Sequence, residues 1–292
     1  MNMTLEGSDL KAQFVKQRNR HASGYVSHSE IIDLLAERLI ERLDLVTITP
    51  ERILDIGSFI GNNVRTLGSR YSKAHVFGME PSVPLARQAY DQRGWFSKLH
   101  YFSGLPHNLP FADSSIDLVI ANLYPLWLGE PKQMLAEVSR VLTPDGLFLF
   151  NSLGPDSLTE IKQSWSKIDH QIEHTERFID MHDVGDALTS SGFHNIVMEN
   201  EPLTITYPSA EEAHQDLRQT GYANLNVNRR KSLTGKSKFN HYLERLNAMA
   251  NPEISITLDM VFGHGWKGQQ KPKYPIHDFG QDANNIAIKA VD

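Results

Sequence analysis

The chain has 292 residues, a formal net charge of −6 at pH 7 and no cysteine. A chain of this length can bury a sizeable core, either as one large domain or as a domain with an insertion. The lack of cysteine excludes disulfides, thiolate metal sites and cysteine nucleophiles, and it favours a cytoplasmic location. The negative charge argues against a nucleic-acid partner, and no apolar run approaches the ~18 residues of a membrane span. The oligomeric state stays open.

Residues 1–28 are predicted to form an N-terminal arm. They are polar and basic, and Tyr25 is one of their few aromatic residues. A helix is predicted to begin at Ser29, where apolar residues recur at three- and four-residue steps. From there to residue 267 we predict one domain.

Strands and helices alternate between residues 52 and 151. Strands are predicted at 52–56, 74–79, 99–103, 116–122 and 147–151, with helices at 62–71, 84–92 and 131–142. This alternation predicts an α/β fold with a mostly parallel, doubly wound sheet and helices on both faces.

The pattern changes after residue 151. Further strands are predicted at 195–198, 203–207 and 254–263, and helices at 156–168, 183–191, 210–220 and 239–250. We interpret 156–192 and 209–250 as helical insertions, and the polar, proline-containing tail 268–292 as loosely packed.

The stretch 52–65 indicates a nucleotide site. An apolar strand containing Asp55 runs into a turn bracketed by Gly57 and Gly61, and a helix follows. In doubly wound sheets such a turn binds a ligand at the carboxyl end of the strand, where the helix presents free N–H groups. Glu80, which follows Gly61 by 19 residues, stands where an acid accepts hydrogen bonds from ribose hydroxyls. The alternative is a solvated acid at a strand end.

Several motifs, in order, resemble one family. They are Arg20-His-Ala-Ser-Gly-Tyr25, Pro50-Glu-Arg-Ile-Leu-Asp-Ile-Gly57, Leu142-Thr-Pro-Asp-Gly-Leu-Phe-Leu-Phe150, Leu153-Gly-Pro-Asp-Ser-Leu158, Phe178-Ile-Asp-Met-His-Asp-Val-Gly-Asp-Ala-Leu188 and Gly263-His-Gly-Trp-Lys267. The chain resembles class I S-adenosylmethionine-dependent methyltransferases, and more narrowly the malonyl-[acyl carrier protein] O-methyltransferases of biotin synthesis. The resemblance implies a Rossmann-like, seven-stranded fold and methyl transfer to the free carboxylate of a malonyl thioester.

The resemblance also implies site residues. The cofactor S-adenosylmethionine would be bound by Asp55, Gly57, Ser58, Gly61, Glu80, Leu105 and Asn122. The arm carrying Tyr25 would close over the cofactor, and the inserted helices would form the acyl side of the site. An orienting role within the turn is the alternative for Asp55, and an ordinary surface position is the alternative for Tyr25.

Three departures from the family pattern fall at the cofactor site. Phe59 stands at the middle glycine of the turn, where a left-handed conformation would cost a side chain roughly 1 to 2 kcal/mol. Leu105 replaces an acid and cannot accept a hydrogen bond from adenine. Tyr124 and Pro125 stand in the loop after the fourth strand, where the family has small residues. We expect Phe59 and Leu105 to weaken cofactor binding.

The predicted loop at 224–238 is strongly basic within an acidic chain. Arg229, Arg230, Lys231, Lys236 and Lys238 form a candidate docking surface for an acidic acyl carrier protein, with a solvated loop as the alternative. His174 and His182 have no third ligand at suitable spacing, so no metal site is predicted.

Three hypotheses of function remain open at this stage. The first is a methyltransferase of the malonyl carrier type with an atypical cofactor turn. The second is a weakened or inactive relative that keeps the fold and serves as a binding or assembly partner. The third is a methyltransferase acting on another acyl or protein substrate.

Overall fold

A computed structural model describes residues 7–95, 97–125, 131–219, 224–226 and 228–268. The helices are α1 Gly7–His21, α2 Glu30–Glu41, α3 Asn62–Arg70, α4 Val83–Asp91, α5 Pro131–Val141, α6 Thr159–Ser166, α7 Met181–Ser190, α8 Ala210–Gln219 and α9 Lys236–Asn247. The strands are β1 Arg52–Ile56, β2 His75–Glu80, β3 Leu99–Ser103, β4 Ile116–Ala121, β5 Leu142–Leu153, β6 Phe193–Tyr207 and β7 Ile254–Lys267. The predicted tail lies outside the described residues from position 269 onward.

The seven strands form one sheet in the order β3-β2-β1-β4-β5-β7-β6. β1 to β5 pair in parallel, and β7 runs antiparallel to both β5 and β6. The predicted mostly parallel, seven-stranded sheet is therefore confirmed. The strand order reverses between β1 and β4, which is where open α/β sheets bind ligands, beyond the carboxyl ends of the strands.

Apolar layers on both faces hold the sheet centre. Ile53, Leu54 and Ile56 of β1 are completely buried. Ile53 packs in the cluster that contains the apolar faces of α2 and α3, while Leu54 and Ile56 pack in the cluster beside α5 and α7. This two-sided burial explains the continuous apolar run of β1 and fixes the direction in which the following turn leaves the sheet.

The carboxyl-terminal half differs from the prediction in one element. Two short strands were predicted, at 195–198 and 203–207, but Phe193–Tyr207 forms one strand with a register shift between His194 and Val197. The prediction was wrong because the polar residues between them looked like a loop. β6 is an edge strand that pairs with β7 alone, so polar side chains and Pro202 are tolerated in it.

The N-terminal arm is helical. α1 is followed by a 3₁₀ turn, Tyr25–His28, and the side chains of Phe14, Arg18 and Tyr25 are buried against the rest of the chain. α6, α8 and α9 pack with the ends of β6 and β7 into a separate apolar cluster. None of the described helices is long and apolar enough to cross a membrane.

Candidate functional site

The turn after β1 keeps a left-handed backbone at three positions. φ is +77° at Gly57, +49° at Phe59 and +82° at Gly61. A Cβ at Gly57 would lie 2.9 Å from Cδ2 of Tyr124, so this position requires glycine. Phe59 therefore keeps the shape of the turn despite its side chain, at a strain of roughly 1 to 2 kcal/mol.

Glu80 ends β2 beside this turn and is completely buried. Its Oε1 accepts hydrogen bonds from Arg18 Nε at 2.8 Å and from the Ser82 backbone N–H at 2.8 Å. Its Oε2 accepts from Arg18 Nη2 at 2.5 Å and from the Phe59 backbone N–H at 3.0 Å. A carboxylate offers about four acceptor positions, so the chain itself fills the capacity of Glu80.

Aromatic rings surround the guanidinium that holds Glu80. Arg18 Cζ lies 3.9 Å from the centroid of the Phe59 ring. The Phe59 ring also stacks on Tyr25, with centroids 4.8 Å apart and an interplanar angle of 21°. The predicted lid residue Tyr25 thus lies over the turn, in contact with the unusual residue of that turn.

Asp55 is buried without a hydrogen-bond partner among the described residues. Burial, and then the nearby charge of Glu80, raise the pKa of Asp55 to about 8. Asn63 lowers the pKa in part, although no hydrogen bond of normal geometry reaches either carboxylate oxygen. Ser58 Oγ is likewise buried without a partner in the described part of the chain. Two predicted cofactor residues therefore retain unused hydrogen-bonding capacity.

Asn122 is buried at the end of β4, and both its side-chain nitrogen and its side-chain oxygen are hydrogen-bonded. Its Nδ2 donates to the backbone oxygen of Ile32 at 3.2 Å, and its Oδ1 accepts from Asn151 Nδ2 at 2.9 Å. Asn151 also donates to the backbone oxygen of Leu35 at 3.1 Å. The two asparagines attach α2 to the sheet. Sequence reasoning missed Asn151, for which a lone amide ending an apolar strand was the available signal.

The loops after β3 and β4 carry the other departures. Leu105 follows Gly104, whose N–H donates to the backbone oxygen of Glu80 at 3.3 Å, so Leu105 lies near the acid that ends β2. Tyr124 is buried and packs edge-on against Phe14 of α1, with ring centroids 5.7 Å apart.

The amino-acid sequence of this chain is similar to those of known proteins. A family model described as a methyltransferase domain matches residues 54–150. The malonyl-[acyl-carrier protein] O-methyltransferase of Legionella pneumophila is 33% identical over 258 residues, which cover 88% of this chain and 90% of that protein. The chain belongs to the malonyl-[acyl-carrier protein] O-methyltransferase family. The malonyl-[acyl-carrier protein] O-methyltransferase 1 of Coxiella burnetii, another relative, is 36% identical over 234 residues, with 80% and 79% of the two chains covered.

Solved structures agree with this family at the level of the fold. A putative methyltransferase from Haloferax volcanii, solved with its Trm112 activator, has a TM-score of 0.57 at 17% identity and covers 88% of this chain and 99% of that one. Phosphoethanolamine N-methyltransferase 2 of Haemonchus contortus, solved with S-adenosyl-L-methionine, has a TM-score of 0.56 at 15% identity, with 88% and 60% covered. The predicted class I fold and the class of S-adenosylmethionine-dependent methyltransferases are thus confirmed.

A methyltransferase domain implies binding of S-adenosylmethionine, and the scaffold of this family member fits that cofactor. Gly57 and Gly61 keep Cβ atoms away from the turn, Asp55 has acceptor oxygens that no described residue uses, and Glu80 stands where the sequence predicts a ribose-binding acid. Arg18 occupies two of the acceptor positions of Glu80.

An apolar cavity of about 280 Å³ lies beside the loop that follows β4. Its walls come from α2, the loop after β4, α6 and α9, and include Ile31, Leu35, Leu123, Ile161, Trp165 and Tyr242. Arg218, His174, His214 and Glu176 are polar residues at its edge. Burial lowers the pKa of both histidines and raises the pKa of Glu176, so the cavity favours uncharged side chains.

The basic segment is partly neutralised within the protein. Arg230 and Lys238 both pair with Asp169, and Arg229 donates to Gln13 and to backbone oxygens. Lys231 and Lys236 are exposed, and between them Leu233 is 97% exposed.

Neither histidine considered for a metal site has metal-site surroundings. The ring of His174 stacks on Trp165 at 3.8 Å, and His182 Nδ1 lies 2.7 Å from Asp180 Oδ1. Within the ranges that the structure describes, no group of three or more histidine, aspartate or glutamate side chains could hold a metal ion.

Proposed function

We propose that the protein methylates the free carboxylate of a malonyl thioester carried by an acyl carrier protein, in the cytoplasm. The supporting observation is that similarity to malonyl-[acyl-carrier protein] O-methyltransferases extends over 88% of the chain, far beyond residues 54–150. It therefore includes the elements that build the apolar cavity beside the cofactor turn.

Methyl transfer to a carboxylate requires few catalytic side chains. When bound, S-adenosylmethionine supplies a methyl group already activated by its sulfonium, and a carboxylate is already a nucleophile. The apolar walls contributed by Leu123 and Ile161 exclude water from the carboxylate, while the cavity aligns it. We assign Arg218 the role of orienting the anionic acyl group at the cavity edge. No general base is required.

We assign the cofactor roles to the predicted residues. Asp55 and Ser58 offer hydrogen-bonding atoms, Glu80 accepts from ribose, and Tyr25 with residues 1–28 covers the cleft. Asn122 supports the site by holding α2 on the sheet. Leu105 offers adenine no acceptor, which weakens binding by about 1 to 3 kcal/mol, or roughly tenfold to a hundredfold.

The carrier protein docks at the exposed end of the basic segment in this proposal. Lys231 and Lys236 supply charge that attracts an acidic partner, and Leu233 supplies an apolar contact between them. Arg229, Arg230 and Lys238 contribute less, because their charges are engaged within the protein.

The decisive experiment incubates the protein with S-adenosylmethionine and malonyl-acyl carrier protein and follows the carrier by mass spectrometry. We expect the mass increase of one methyl ester. Acetyl-acyl carrier protein is the matched control, since it lacks the carboxylate and should stay unchanged. Cofactor binding without methylation of the malonyl group would reject this substrate.

The Arg18–Glu80 contact favours a second candidate function, a carrier-binding protein that does not transfer methyl groups. Here the chain would keep the acyl cavity while its own arginine occupies the ribose acid. Tight binding of malonyl-acyl carrier protein with no S-adenosylmethionine binding at millimolar concentration would select this candidate over the first.

A further inference from the structure

We propose that α1 is an internal competitor of the cofactor: Arg18 occupies the ribose acid Glu80, and S-adenosylmethionine binds only when α1 leaves the cleft. This inference rests on the proposed use of S-adenosylmethionine. It concerns four residues, Arg18, Tyr25, Phe59 and Glu80, which we call the latch.

The hydrogen-bond capacity of Glu80 is already used within the chain. Arg18 and Glu80 are 62 residues apart in the sequence, yet their side chains are 3% and 0% exposed and meet through two hydrogen bonds. Two backbone N–H groups fill the remaining acceptor positions of Glu80. A ribose hydroxyl can therefore reach this carboxylate only by displacing Arg18.

Aromatic contacts of Phe59 also hold the N-terminal arm against the turn. The Phe59 ring contacts the Arg18 guanidinium at 3.9 Å and the Tyr25 ring at 4.8 Å. A glycine at position 59 would offer neither contact. Phe59 thus acts as the attachment point that the turn presents to the arm, and cation–π attraction to a desolvated guanidinium strengthens the closed state.

In this proposal, α1 pivots at the short segment that joins it to the following 3₁₀ turn. α1 ends at His21, and Gly24 separates it from the 3₁₀ turn that begins at Tyr25. Beyond the latch, His21 Nδ1 lies 3.3 Å from Gln219 Oε1, and Gln88 donates to the Ala22 backbone oxygen at 3.3 Å. The apparent cofactor affinity then equals the intrinsic affinity multiplied by the fraction of molecules with α1 open.

Two single variants of the full chain test the latch. Arg18→Gln removes the positive charge and the two hydrogen bonds that the guanidinium donates to Glu80. Lys16→Gln removes a charge from an exposed position on the same helix. Titration calorimetry with S-adenosylmethionine should show binding tightened at least about tenfold by Arg18→Gln and unchanged by Lys16→Gln.

Hydrogen exchange provides a readout that needs no cofactor. The amide of Phe59 and those of α1 should exchange faster in Arg18→Gln than in the parent protein and in Lys16→Gln, because the closed state has lost the ion pair between Arg18 and Glu80. Thermal melting of each variant confirms that the fold is retained.

The outcomes separate the two proposals. Suppose that hydrogen exchange shows α1 to be open in Arg18→Gln, while the cofactor affinity equals that of the parent protein. This result would overturn the latch and leave the proposed function standing. Binding by neither protein at millimolar cofactor would overturn the proposed function. It would overturn the latch as well, because the latch competes with a bound cofactor, whereas tighter binding by Arg18→Gln with faster exchange of α1 and Phe59 would support both proposals.

Discussion

The turn after β1 and the apolar cavity lie in the same domain but differ in how completely the chain's own side chains fill them. At the turn, Arg18, Tyr25 and Phe59 pack tightly on Glu80 and satisfy its hydrogen bonds. In the cavity, by contrast, apolar side chains leave about 280 Å³ open. Under our two proposals, this difference means that cofactor binding is controlled at the turn, while the cavity is open to the acyl group.

The largest expected effect is on stability and follows from breaking the Arg18–Glu80 pair at the turn. Glu80→Ala leaves the Arg18 guanidinium buried without its partner, so the free energy of unfolding should fall by about 3 to 5 kcal/mol in urea titrations. The double variant Glu80→Ala with Arg18→Met is the control, since it removes both charges. A single variant as stable as the parent protein would show that the pair is not buried in solution.

The pH dependence of stability tests the other buried acid of the turn. The pKa of Asp55 is raised to about 8 in the folded chain, mainly by burial, whereas the unfolded carboxyl titrates near 3.8. The folded state therefore favours the protonated acid, and stability falls as the pH rises from about 4 to 8, by up to ~1.4 kcal/mol per unit.

Asp55→Asn removes this titration. Between pH 5 and pH 7 the parent protein should lose about 2 to 3 kcal/mol more than the variant, measured by urea unfolding at each pH. Parallel pH profiles would contradict the raised pKa.

Replacing Phe59 and Leu105 by the residues typical of the family should strengthen cofactor binding. Phe59→Gly with Leu105→Asp relieves backbone strain, removes the ring that Arg18 contacts and supplies an adenine acceptor. Calorimetry should show S-adenosylmethionine binding tightened by roughly tenfold to a hundredfold. Phe111→Leu, in the neighbouring apolar cluster, is a control that should leave affinity unchanged. Unaltered affinity of the double variant would refute the weakening assigned to these two residues.

Filling the cavity should affect only the acyl side. Ile161→Trp places a larger ring at the wall contributed by α6, so kcat/KM for malonyl-acyl carrier protein should fall at least about tenfold. Cofactor affinity should stay unchanged, and Ile161→Val is the conservative control. Loss of cofactor binding in the tryptophan variant would mean that the two regions are not separable.

Charge reversal on the docking surface should give the smallest effect. Lys231→Glu with Lys236→Glu should slow association with the carrier protein several-fold at low salt and less at high salt, as measured by stopped-flow fluorescence. Lys73→Glu with Lys98→Glu reverses two exposed charges near the start of β2 and β3 and is the matched control. Equal slowing in both double variants would reject a localised docking surface.

Local patterns in the sequence were sufficient for the five parallel strands and for the turn after β1. The apolar run of β1, the two glycines of the turn and an acid about one helix and one strand later can all be read from short stretches of sequence. Ordered motifs along the chain were enough for family membership, which the relatives confirm.

The tertiary structure decided which of these parts contact one another. The pairing of Arg18 with Glu80, the engagement of Arg230 and Lys238 by Asp169, and the asparagine pair beneath α2 all join residues far apart in the chain. No local preference encodes such contacts, because they depend on burial and on the distances that packing imposes. The sequence by itself determined a methyltransferase scaffold, and only the folded chain revealed that its N-terminal helix contacts the acid that the sequence predicts to bind ribose.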